Sequence, residues 1–113
     1  QKGMMPLFSR GWYADYPDAH NFVYAFYHSA GRYPSAQSYS NPEMDRMIEE
    51  AARTGDPKLR AALYGRILAL GFEEAPSITT VHPRSPQILR EWVQGFYYNP
   101  VYLDFYFYPL SKK

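Results

Sequence analysis

The strongest constraint on the fold is a pair of helix starts written the same way, Asn41-Pro42 and Asp56-Pro57. In each, a short polar side chain can accept the unpaired amides of a first helical turn, and the proline that follows has no amide to satisfy. Met44, Met47, Ile48 and Ala51 then recur at the i, i+3, i+4, i+7 spacing of one buried helical face. Leu59, Leu63, Ile67 and Leu70 form a second stripe after the second start. Gly55 closes the first helix, and the short link Thr54-Gly55-Asp56 turns the two into a helical hairpin.

The flanking segments carry weaker signals. "MMPLFSRGWY", Met4 to Tyr13, predicts a short buried strand running into a glycine turn. Asp18 is placed to cap a helix through "AHNFVYAFYHS", with Phe22, Ala25, Phe26 and Ser29 on one face. "SAGRYPSAQSYSN", Ser29 to Asn41, reads as a polar loop. Ala75 to Pro83 is β-branched and bounded by prolines, which predicts a strand. "PQILREWVQGFYYNP" holds a short extended piece and a glycine turn, and the aromatic tail Tyr102 to Leu110 predicts a last buried strand. The order is α/β, yet so few short strands do not make a sheet by themselves. A chain of this pattern is expected to be part of something larger.

Charge and composition narrow the function. Twelve basic and 11 acidic residues leave a net charge of +1 with no block of one sign, which argues against nucleic acid as a partner. No apolar run approaches the roughly 18 residues of a membrane span, and the opening "QKGMMPLF" lacks the apolar core and cleavage pattern of an export signal. With no cysteine there is no disulfide, thiolate metal site or cysteine nucleophile. His20 and His28 would sit two helical turns apart, too far to chelate one ion, and no H-E-x-x-H, G-x-S-x-G or P-loop is present. Each histidine, His82 included, reads as a hydrogen-bonded boundary residue. No catalytic set, metal site or cofactor is therefore expected.

Binding is better supported than catalysis. Tyrosine and tryptophan suit half-wet clefts, and the chain is 19% aromatic. Trp12, Tyr13 and Tyr16 surround Asp15 where the expected strand gives way to a loop. A carboxylate between aromatic walls is a strong acceptor for an ammonium or guanidinium group. The same residue could instead accept backbone amides in the turn, and the same rings could stack on a sugar.

Five segments in order, "GWYADYPDAHNF", "YSNPEMDRMIEEA", "DPKLRAALYGRI", "EEAPSITTVHP" and "REWVQGFYYNP", resemble the C-terminal part of family 5 extracellular solute-binding proteins. These are the dipeptide- and oligopeptide-binding receptors of ABC importers. The resemblance runs from about Leu7 to Lys112.

The resemblance implies a two-lobed periplasmic-binding-protein fold of type II, incomplete here without the rest of the receptor. Residues 1–100 would supply the later part of the second lobe, and residues 101–113 a strand returning to the first. It implies a peptide ligand, an ABC permease as partner, no enzymatic activity, and a place in the periplasm or outside the membrane as a lipoprotein. It assigns Asp15 to the ligand's free α-amine, Trp12 to the pocket lining and Tyr13 to a place beside the ligand. Asp18, Asn21 and Phe22 match a helix cap and its packing, and Trp92 and Gly95 a packed ring and a turn. Relatives in the same family that bind oligosaccharides or nickel chelates define the alternative ligand class.

Overall fold

In the computed structural model, the described residues are 8–81, 84, 86–99 and 106–113. They fall into two compact units, Gln1–Ile78 and Thr79–Lys113.

The first unit is helical: α1 (Ala19–Tyr27), α2 (Arg32–Gln37), α3 (Pro42–Arg53) and α4 (Pro57–Glu74). Both expected helix starts are present. Asn41 Oδ1 accepts from the amides of Glu43 at 2.8 Å and Met44 at 3.2 Å, and Asp56 Oδ1 from those of Lys58 at 2.8 Å and Leu59 at 3.0 Å. Met44, Met47, Ile48 and Ala51 are all buried, as their spacing predicts. They pack with Val23 of α1 and with Leu63, Tyr64 and Ile67 of α4, and Tyr27 and Leu70 close the edge of this core. Ile48 and Ile67 have no exposed surface. Burying each such side chain contributes about 1.5–3 kcal/mol.

Two stripes are rotated from their expected positions. On α4 the buried face is Leu63, Tyr64, Ile67 and Gly71, while Leu59 is exposed. Gly71 sets this rotation: a Cβ there would stand 2.7 Å from Cε1 of Tyr27, so only glycine lets that ring lie against the helix. On α1, Asn21 and Ala25 turn inward with His28, whereas Phe22 is exposed, because the loop before the helix packs onto Asn21.

The expected loop from Ser29 to Asn41 contains α2. The six-residue helix ends at Ser38 in the left-handed conformation (φ 58°), and Tyr33 and Pro34 are buried within it. The polar composition conceals the helix because these two rings carry all of its burial.

The strand expected near the start is not regular structure over Phe8–Tyr13, and Met4–Leu7 lie outside the described residues. Ala75–Val81 of the expected proline-bounded strand is likewise irregular, with Ile78 and Val81 exposed; His82 and Pro83 lie outside the described residues. β-Branched residues favour a pleated, half-buried surface, and no strand pairs with this segment among the described residues.

The second unit is held by one short antiparallel ladder, β1 (Val93–Gln94) with β2 (Ser111–Lys112), in the register Val93 to Lys112 and Gln94 to Ser111. The expected glycine turn follows β1, since Gly95 has φ +80° and a Cβ there would stand 2.0 Å from the Pro109 carbonyl oxygen. The ammonium of Lys112 lies 5.1 Å from the centre of the Trp92 ring. Of the expected last strand, Tyr102–Phe105 lie outside the described residues and Tyr106–Leu110 form a turn that leads into β2. No helix among the described residues is long and apolar enough to cross a membrane.

Candidate functional site

The loop ahead of α1 carries the candidate residues, and the side chain of Asn21 organises it. Asn21 is 7% exposed, and its carbonyl oxygen accepts from the indole Nε1 of Trp12 at 2.7 Å and from the backbone amide of Asp15 at 3.2 Å. Its amide nitrogen donates to Asp15 Oδ2 at 3.2 Å. Trp12 and Asp15, separated in sequence, are thus brought to one side chain on the first turn of α1. Tyr13 is not part of this junction and is 62% exposed.

Tyr33 of α2 holds the loop from the other side. Its hydroxyl donates to the Gly11 carbonyl at 2.8 Å, and its ring meets Trp12 edge-on at 5.9 Å and Phe26 at 4.9 Å. Asp18 fixes the base of the loop. Its Oδ1 caps α1 by accepting from the His20 amide at 2.7 Å and also receives Arg60 Nη2 at 2.7 Å. The Arg60 hydrogen bond, helped by that amide, holds the Asp18 carboxyl below the usual carboxylate range. Arg60 in turn donates to the Ala51 carbonyl and the Tyr64 hydroxyl.

The result is an exposed carboxylate on a braced loop. Asp15 spends one oxygen on Asn21, and among the described residues no cation lies within ion-pair distance of it. A groove of about 220 Å³ runs beside the junction, walled by the rings of Trp12, Tyr16, His20 and Tyr24. The rings of His20 and Tyr24 lie 5.4 Å apart, and the Tyr16 hydroxyl is 3.1 Å from His20 Nδ1. Chemically the arrangement offers an anion and flat apolar surfaces. The described residues contain no cluster of histidine and carboxylate groups able to hold a metal ion. His20 and His28 are both hydrogen-bonded, the latter accepting from the Ala30 amide at 3.1 Å, and His82 lies outside the described residues.

Two contributors escape a reading of the sequence. Asn21 reads there as packing alone, although a buried amide among the apolar positions of a helix demands polar partners. Tyr33 falls in the segment expected to be a loop.

The chain is similar to bacterial proteins that bind short peptides. The dipeptide-binding protein DppE of Bacillus subtilis (strain 168) is 30% identical over 106 residues, 92% of this chain and 19% of the relative. The di/tripeptide-binding protein 4 of Pseudomonas aeruginosa (strain UCBPP-PA14) is 27% identical over 93 residues, 80% of this chain and 17% of the relative. A probable di/tripeptide-binding protein 5 of the same strain is 26% identical over 102 residues, 88% of this chain and 19% of the relative. The chain therefore spans about a fifth of the length of the curated relatives it matches. No protein-family model matches the chain, and no solved structure matches it at a significant level.

Proposed function

We propose that this chain is the C-terminal segment of a two-lobed, extracytoplasmic solute-binding receptor that takes up di- or oligopeptides for an ABC permease. The observation that carries the reading is the exposed Asp15 carboxylate, pinned by Asn21 beside the Trp12 ring and without a counter-cation among the described residues. Similarity to proteins named for di- and tripeptide binding supports the ligand class. In this reading the ligand's ammonium pairs with Asp15, Trp12 covers it, and hinge closure of the rest of the receptor over the site excludes water. Excluding water strengthens the ion pair only if the remaining carboxylate lone pairs are bonded, and the Asn21 amide meets that need on one side. The exposed apolar residues around the short ladder, Ile88 and Tyr108 among them, fit surface that the rest of such a receptor covers.

Calorimetry on the full-length receptor tests the assignment. Asp15→Asn should weaken peptide binding by about 2–5 kcal/mol, the cost of truncating one partner of a desolvated charge pair. Unchanged affinity would remove Asp15 from the site. A thermal-shift panel of dipeptides, oligosaccharides and nickel chelates checks the ligand class, and stabilisation by the latter two alone would overturn the peptide reading.

A further inference from the structure

His28 closes α1, is buried, and faces two carboxylates of α3 beyond hydrogen-bond distance. Asp45 Oδ1 lies 3.9 Å from its Nδ1, and Glu49 Oε1 lies 3.8 Å from its Nε2. Nδ1 instead accepts from the Ala30 amide at 3.1 Å, which requires a lone pair there and leaves the ring proton on Nε2. The Tyr24 ring stacks on the imidazole at 4.4 Å. Of the two acids, Asp45 also accepts from the Ser29 amide at 2.7 Å, and Glu49 also meets Arg53 at 3.3 Å. Among the described residues no acid of α4 lies within ion-pair distance of His28.

We propose that His28 is a pH-sensitive latch at the corner between α1 and α2, holding the Ala30 amide when neutral and turning to Asp45 and Glu49 when protonated. A proton on Nδ1 sets two donors against each other, so the Ala30 bond is lost. The same proton gives the ring a donor toward each carboxylate, and a small rotation closes both gaps into charge-assisted bonds. The face of Tyr24 also favours a cation. The consequence reaches the candidate site through α2. Ala30 precedes Gly31, the N-cap of α2, which has no side-chain bond of its own. Tyr33 of α2 holds the Trp12 loop through the Gly11 carbonyl. Ser29 stays tied to Asp45, and the Gly31 amide stays on the His28 carbonyl, so the corner resets rather than unfolds. Acid therefore loosens the loop that carries Asp15. The latch stands apart from the peptide reading, and only its effect on binding rests on that reading.

Hydrogen exchange of the Ala30 amide, followed by NMR in the full-length receptor from about pH 8 to about pH 5, tests the latch across the window in which histidine changes charge. Corrected for the intrinsic exchange rate, its protection should fall about 3- to 10-fold toward acid, the scale of one lost hydrogen bond. His28→Gln, whose side chain does not titrate, should show one protection at every pH. Asp45→Asn combined with Glu49→Gln removes both anions and should keep Ala30 protected further into acid. Neither acid is buried, so this variant tests the latch even if His28→Gln does not fold. Calorimetric affinity for Ala-Phe should fall toward acid in wild type and fall less in His28→Gln. If Ala30 protection does not change with pH, or changes alike in His28→Gln, the latch is overturned. If protection changes but affinity falls alike in both proteins, the link through α2 is overturned. If protection changes while the receptor binds no peptide, the peptide reading falls and the latch stands.

Discussion

The guanidinium of Arg60 and the carboxylate of Asp18 meet at 2.7 Å, on the same carboxylate oxygen that caps α1. One contact thus joins the middle of the chain to the loop that carries Asp15. It links α4 to the start of α1, while a second Arg60 bond reaches the Ala51 carbonyl near the end of α3. The braced loop is a consequence of the helical hairpin, not an independent structure.

This pair should give the fold an acid-sensitive component. Asp18 titrates below its ordinary value of 3.8, chiefly through the Arg60 hydrogen bond. A carboxyl depressed in the folded state stabilises fully above its unfolded value, and that stabilisation is lost as pH falls through the lower folded one. Asp18→Asn keeps a capping oxygen but removes the charge. The melting-temperature gap between wild type and this variant should be constant above about pH 5 and should close below about pH 4. A gap that does not change with pH would assign the contact to geometry alone.

Glu74 should hold the Tyr39 phenol neutral. The Tyr39 hydroxyl donates to Glu74 Oε2, and Asn41 Nδ2 donates to Glu74 Oε1 at 2.6 Å, so the last residue of α4 clasps the start of α3. Burial first, and then the neighbouring carboxylate, push the Tyr39 hydroxyl well above its ordinary value of 10.0. A group raised in this way contributes stability below its unfolded value and loses it as pH rises through the folded one. In an ultraviolet titration Tyr39 should ionise above its ordinary value, and Glu74→Gln should bring that ionisation to lower pH.

Two glycines on α4 should respond in opposite directions to the same change. Gly71→Ala drives a Cβ to 2.7 Å from the Tyr27 ring, which must move out of the core edge. Overpacking of this kind costs about 1–3 kcal/mol. Gly65 is exposed in the same helix, and a methyl added there would meet nothing within 4 Å. Gly65→Ala should therefore stabilise by about 0.5–1 kcal/mol through helix propensity and a less flexible unfolded chain. Denaturant midpoints for the two variants check both signs.

How much of this is readable in the sequence depends on whether the signal is local. Asn41, Asp56 and the Met44–Ala51 stripe announce themselves because caps and one-sided burial repeat over a few residues. The rotation of α4 is not readable, because it depends on Tyr27 reaching Gly71 from another helix. The strand expected at Ala75–Pro83 is irregular over its described part, Ala75–Val81, for a related reason: a strand needs a partner, and the pattern of one segment does not supply it. Residue type alone picks out Asp15 and Trp12, but not the side chain that joins them. Only the fold shows that Asn21 serves both.

Asn21 therefore offers the sharpest test of the site. Its oxygen satisfies Trp12 and the Asp15 amide, and its nitrogen satisfies the Asp15 carboxylate. Asn21→Leu removes all three bonds and should destabilise by about 1–3 kcal/mol per buried group left unpaired. The chain has two tryptophans, so a Trp92→Phe background isolates the signal of Trp12. In that background Asn21→Leu should shift Trp12 emission to the red and increase quenching by acrylamide. Asn21→Asp is the informative partner. It keeps an acceptor for the indole and the backbone amide, but sets a second carboxylate where the amide nitrogen now lies 3.2 Å from Asp15. Like charges so close cannot both ionise easily, and one proton is shared between them at a raised pH. Trp12 emission should then stay near wild type at low pH and change as the pair ionises. Ligand binding should become pH-dependent over the same range. Emission that shifts at every pH would show that a carboxyl does not replace the Asn21 amide at this junction even when it is protonated.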